Sequence, residues 1–272
     1  MINLLKISFF GLSLLATTGC ESLSRWKMAG TRALVSVIPR EVDRHLGEAA
    51  QTTQVRALGS AVVPPEANTH VSALAAPLLK MVSLSPLEPR VQVVASDLPN
   101  AFAFPHGGIF VTTKLIQISK SPEEILSVLA HEVAHVVQRH SMQQLVTQAG
   151  MTIAISTVFG DLGALGDIAS AGGTLLGLKF SRDHEREADA VGVEILRKAG
   201  LPLNGMSAFF ERMDEFEKSQ SKMPINENVM SFLQTHPRTE ERIETARALV
   251  SEPGVQTPRA VKDAFLRLKK LF

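Results

Sequence analysis

Ser121-Pro122-Glu123-Glu124-Ile125-Leu126-Ser127-Val128-Leu129-Ala130-His131-Glu132-Val133-Ala134-His135 is the stretch from which the rest of the chain is read. It opens on a capping box, a serine three residues ahead of a glutamate, with proline at the first helical position. No glycine or proline follows until Gly150, and Ile125, Leu126, Leu129, Val133, Val136 and Val137 form an apolar face at helical spacing. One helix is therefore expected. On it His131 and His135 stack one turn apart and can each turn a ring nitrogen to the same metal ion. Glu132 lies about 100° further round, close enough to act on an attacking water without being a ligand. By the same count His140 falls on the opposite side from His131 and is not expected to be a ligand. A core helix with two incidental histidines is the plainer alternative, but it leaves Glu132 buried without a role, which is costly.

A catalytic zinc usually keeps three protein ligands and one open position. The candidate for the third lies in Ser181-Arg182-Asp183-His184-Glu185-Arg186-Glu187-Ala188-Asp189, which opens a second helix ending at Gly200, with Pro202 beyond. Glu185 and Asp189 share a face, and Glu187 is turned away from it. Glu185 can bind the metal while Asp189 accepts a hydrogen bond from a ligand imidazole. Without the first motif, a charged, solvated helix face would be the better reading.

The two motifs in this order resemble the HExxH gluzincin metallopeptidases of the HtpX and CAAX-prenyl-protease type, in particular their soluble periplasmic lipoprotein branch. Asn100-Ala101-Phe102-Ala103-Phe104-Pro105, leading into Gly107-Gly108-Ile109-Phe110-Val111, is similar to the family's segment ahead of the catalytic helix. Thr235-His236-Pro237, with Arg242 downstream, is similar to its C-terminal His-Pro motif. The likeness covers roughly residues 70 to 250; His106 departs from it locally. It implies an α+β, mainly helical, zincin-type domain with a small sheet beside the HExxH helix. It also implies one zinc per chain, with Glu185 as the third ligand beside His131 and His135.

The remaining sequence bounds the organisation. The chain has 272 residues, 45% of them hydrophobic, enough for one catalytic domain with short flanking pieces. A formal net charge of +1 gives no case for nucleic acid. Lys6 precedes an apolar run from Ile7 to Ala16, then Thr17-Thr18-Gly19-Cys20; the run is too short to span a membrane and reads as a signal peptide over residues 1–19. Cys20, the only cysteine, stands where a bacterial lipobox has its lipidated residue. That places the protein at the cell envelope, lipid-anchored and facing the periplasm. Glu21 after the cysteine, by resemblance to enterobacterial lipoproteins, favours the outer membrane.

Residues 20–68 read as a helical segment broken by Pro39 with a linker or turn at Pro64-Pro65, and residues 69–250 as the catalytic domain. Within it, 69–82 has helical spacing, while Arg90–Ser96 and Gly108–Thr113 read as strands. The stretch from Leu145 to Phe180 is apolar but interrupted at Gly160-Asp161 and Asp167, short of a span. A buried helical pair and a mobile cover over the site both fit it. Residues 251–272 carry a basic amphipathic helix that can dock on its own domain or lie on anionic lipid.

The implied chemistry is peptide hydrolysis, with Glu132 as general base and the strand Gly108, Ile109, Phe110, Val111 as an edge for an extended substrate backbone. Such recognition suits unfolded or misassembled envelope proteins, a substrate class that comes from the resemblance. There is no tyrosine, so His236 and Arg242 are the candidate transition-state donors. His236 has a second reading, as a fourth ligand that keeps the enzyme latent. Two rival classes stand beside peptide hydrolysis. One is a tethered chaperone-like scaffold with structural zinc. The other is a metallohydrolase acting on cell-wall or prenylated substrates.

Overall fold

Prolines and small hydroxyl caps set where most helices begin. The computed structural model describes residues 28–58, 62–149, 179–220, 235–249, 251 and 254–272. The Thr17–Cys20 motif and most of the apolar stretch after Leu145 lie outside the described residues. Helix α1 (28–37) gives way at Pro39 to α2 (Arg40–Leu58). Pro64 and Pro65, expected as a linker or turn, are the cap and first residue of α3 (Pro65–Leu79). Three strands follow, β1 (Arg90–Val94), β2 (Ala101–Ala103) and β3 (Gly108–Thr112), then α4 (Thr113–Ile118), α5 (Pro122–Val137) and α6 (His140–Ala149). The second half supplies α7 (Arg182–Lys198), α8 (Gly205–Gln220), α9 (Glu240–Ala248) and α10 (Arg259–Lys269). The architecture is α+β and mainly helical, as expected.

The sheet order is β1-β3-β2, with β3 parallel to β1 and antiparallel to β2. This corrects the expectation that Gly108–Val111 offers a free edge. All five residues of β3 are buried, and both sides of its backbone are paired. A strand covered on both faces reads as a continuous apolar run, and Ile109-Phe110-Val111 is one. One face of the sheet packs Val91, Val93, Ile109 and Val111 into the main core with residues of α3, α5, α7, α8 and α10. The other packs Phe102, Phe104 and Phe110 beneath Ala50 of α2. Phe102 and Phe110 stack at 5.4 Å while Phe104 meets both edge-on.

α5 runs through the core with 14 residues buried, from Pro122 to Val136. It stops earlier than the sequence led us to expect. Arg139 adopts φ +57°, a left-handed turn after the last helical residue, and α6 starts afresh at His140. A non-glycine residue holds that conformation because its guanidinium bridges Val35 and Ile38 carbonyls and the buried Asp43. The C-terminal helix α10 docks on the domain, burying Val261, Ala264, Phe265 and Leu268. Its Lys269 ammonium donates to the Gln117 and Ser119 carbonyls at the end of α4. No described helix is long and apolar enough to cross a membrane.

Candidate metal centre

The helices that carry the candidate site each open on a hydroxyl cap. Ser121 Oγ accepts from Glu124 N, Ser181 Oγ from His184 N, and Thr239 Oγ1 from Arg242 N. The caps place His131, Glu132 and His135 in the third and fourth turns of α5, Glu185 in the first turn of α7, and Arg242 in the first turn of α9. The capping box at α5 closes one residue earlier than the motif implies, with Glu124 accepting from Lys120 N. α7 comes close to the α5 backbone at Gly192, where an added Cβ would lie 3.2 Å from the Ala130 carbonyl carbon. Gly192 is two turns below Glu185 on the same face, so this approach also brings Glu185 against the histidines.

His131, His135, Glu185 and His236 each offer one ligand atom, all within 4.8 Å of one another and all buried. His131 Nε2 lies 3.0 Å from His135 Nε2 and 3.2 Å from His236 Nδ1. Glu185 Oε1 lies 3.1 Å from His236 Nδ1 and 3.5 Å from His135 Nε2, with Oε2 3.5 Å from His131 Nε2. A tetrahedral site with bonds of about 2.0–2.1 Å has ligand-to-ligand edges of about 3.3–3.4 Å. The separations of 3.0–3.5 Å are close to those edges, and the His135–His236 pair lies within 4.8 Å. Two imidazole nitrogens turned to each other also need a proton or a cation between them, and a divalent cation meets that need for all four groups at once.

The surrounding groups hold these ligands. His131 Nδ1 lies 2.8 Å from Asp189 Oδ1. Arg242 donates Nε and Nη2 to the two Asp189 oxygens at 2.6 and 2.8 Å and Nη1 to the Pro237 carbonyl, and Nη1 also forms an ion pair with Glu185 Oε2 at 2.6 Å. Its guanidinium thereby braces Asp189 and Glu185. His236 turns Nε2 towards Glu132, 3.5 Å from Oε1. That carboxylate oxygen is buried and makes no hydrogen bond. His140, set aside in the sequence reading, is completely buried with Nδ1 3.0 Å from His135 Nδ1. The left-handed turn at Arg139 brings it there, and no residue in the sequence announces that turn.

Burial tunes the cluster. It raises the Glu132 carboxyl above the usual carboxylate range, against the pull of His236 and His131. It pushes His135 well below an ordinary imidazole, leaving its ring neutral with a lone pair to offer. His131 goes the other way: burial opposes, but Asp189 and Glu185 outweigh it and hold the ring up to about 9. Glu185 resists burial too, kept far below the carboxylate range chiefly by His236, then His131 and His135. A cation at the centre would replace the proton that the free cluster shares.

Comparison with known proteins agrees with this geometry. Residues 65–250 match peptidase family M48. The mitochondrial metalloendopeptidase OMA1 of Schizosaccharomyces pombe is 29% identical over 199 residues, covering 72% of this chain and 56% of that protein. The beta-barrel assembly-enhancing protease of Escherichia coli is 28% identical over 187 residues, 64% of this chain and 37% of that one. A putative beta-barrel assembly-enhancing protease of Vibrio cholerae is 35% identical over 159 residues, 54% of this chain and 32% of that one. The chain thus spans about a third to just over half of the length of these relatives. By the family match and the motifs that carry it, the chain belongs to peptidase family M48, the HtpX-like metallopeptidases.

Proposed function

We propose that this chain is a zinc metalloendopeptidase that cleaves unfolded or misassembled proteins of the bacterial cell envelope. The observation that carries the reading is the set of four buried ligand atoms within 4.8 Å of one another with Glu132 beside them. His131, His135 and Glu185 would hold one zinc ion. When bound, zinc supplies Lewis acidity, lowering the pKa of a water and polarising the scissile carbonyl. Glu132, its carboxyl already raised by burial, takes the proton of the attacking water and returns it to the leaving amine. Asp189 and Arg242 fix the tautomer and tilt of His131 throughout. A scaffold with structural zinc has no use for a buried carboxylate at that place, which favours the enzyme over the scaffold.

His236 sits in the ligand set through Nδ1, and we assign it as a fourth ligand that occupies the open position and keeps the enzyme latent. Substrate backbone would dock on β2 rather than β3. Thr112 N donates to Asn100 O and Phe104 N to Gly108 O, so alternate residues 100, 102 and 104 bond to β3. Ala101 and Ala103 therefore point their backbone groups away from β3, and among the described residues β2 has no second neighbour. An extended peptide could add there whatever its sequence. The envelope assignment is supported by the names of the bacterial relatives and by the Thr17–Cys20 motif.

Glu132→Gln keeps the shape and removes the base. Zinc content should stay at one per chain while casein cleavage falls by orders of magnitude. Wild-type turnover in that variant would transfer the role of base to another residue and refute the mechanism. For the anchor, Cys20→Ala should move the protein from the membrane to the soluble fraction on cell fractionation; continued membrane retention would remove Cys20 as the tether.

A further inference from the structure

Each motif histidine turns Nε2 to the centre and needs a partner for Nδ1. His131 has Asp189, which Arg242 anchors. His135 meets Glu185 at Nε2 but has no such carboxylate at Nδ1. Instead its Nδ1 lies 3.0 Å from Nδ1 of His140, whose Nε2 lies 3.3 Å from Glu187 Oε2. Glu187 in turn pairs with Arg32 of α1. On an unbroken helix His140 would stand about 140° round from His135, too far to meet it. The left-handed Arg139 and the restart of the helix bring the ring back behind His135.

Resting on the metal centre proposed above, we propose that His140 and Glu187 are positioning residues for His135, and that Arg32 extends this brace into the N-terminal helix. The proton directions follow from the geometry. With Nε2 turned to the centre, His135 carries its proton on Nδ1 and donates it to His140 Nδ1. His140, accepting there, is protonated on Nε2 and donates to the Glu187 carboxylate. Both imidazoles stay neutral, and the carboxylate polarises the His140 ring, which in turn orients and polarises the His135 ligand. His140 is fixed for this by stacking on His184 at 4.5 Å, and Phe180 packs on His135 at 4.1 Å. The two ligand histidines are thus held by two different devices, Asp189–Arg242 for one and His140–Glu187–Arg32 for the other. Arg32 lies outside the family match of residues 65–250, so a segment beyond the matched domain reaches the centre.

The test is zinc affinity of the full chain, measured by competition with a chromophoric chelator, with the cobalt-substituted absorption spectrum as a second readout. Replacing such a supporting residue typically weakens metal binding by roughly 10–100-fold. His140→Phe keeps the stacking and removes both nitrogens, so it should show that loss and a changed cobalt spectrum. His140→Asn can still accept from His135 and should recover most of the affinity. Glu187→Gln should lose less than His140→Phe, and Arg32→Ala less again. The unfolding midpoint of the metal-free protein separates this from a general loss of fold. If His140→Phe does not fold, the Glu187→Gln arm decides. Wild-type zinc affinity in folded His140→Phe, or in Glu187→Gln, overturns the brace while leaving the centre standing, provided that His135→Ala loses zinc. A wild-type chain that binds no zinc overturns both.

Discussion

In the function proposed here, His236 is the residue on which activity would turn. Its Nδ1 stands among the ligand atoms, 3.1 Å from Glu185 Oε1, while Nε2 faces Glu132 at 3.5 Å. With zinc bound as proposed, a ring in that position would fill the fourth corner of a tetrahedral site and leave no place for an attacking water. His236→Ala should therefore keep zinc on the other three ligands and raise basal cleavage of an unfolded protein. A fall of about 10²-fold, the scale for loss of one oxyanion donor, would make it a transition-state donor instead. No change would remove His236 from the site. The same scale explains what the sequence could reveal. His131 and His135 meet because local helical spacing makes them neighbours, and so do Glu185 and Asp189. His140 reaches His135 only through a positive φ at an arginine, which carries no sequence signal of the kind glycine would give.

At the scale of elements, caps and periodicity made α5 and α7 legible from residue types alone. Strand pairing was not. β3 was read correctly as a strand, but its place in the middle of the sheet depends on β2, three residues long and without a clear alternation. α8 went unnoticed because its apolar residues answer to a neighbour rather than to solvent. That neighbour is α5, and the contact is tightest at Gly205. A Cβ there would lie 2.0 Å from the Glu123 carbonyl oxygen and 2.3 Å from Ser127 Oγ. The first of these is backbone of a buried helix and cannot swing aside. Gly205→Ala should lower stability by about 1–3 kcal/mol, the usual range for overpacking, read as a reduced urea midpoint. An unchanged midpoint would mean that α8 shifts away from α5 without cost.

At the scale of the molecule, the family match begins at residue 65, yet α1 and α2 are joined to the catalytic helix by more than apolar contact. Val35, Ile38, Val42 and Leu46 share a small core with Met142, Leu145 and Val146 of α6. Two arginines cross that seam in opposite directions. Arg40 donates to the Val137 carbonyl that ends α5, and Arg139 donates to the Val35 and Ile38 carbonyls that end α1. Arg139 also pairs with Asp43, which is 1% exposed, through both carboxylate oxygens. Removing one partner of a buried ion pair leaves the other charge uncompensated, a cost of about 3–5 kcal/mol. Because Arg139 holds the turn that ends α5, the loss should not stay within the N-terminal helices. Asp43→Ala should therefore lower one cooperative unfolding transition of the whole chain, followed by circular dichroism and by amide exchange in α5 and α6. Early exchange confined to α1 and α2, with α5 and α6 protected as in the wild type, would mean that the N-terminal helices come off as a separate unit and that the seam does not hold the catalytic helix in place.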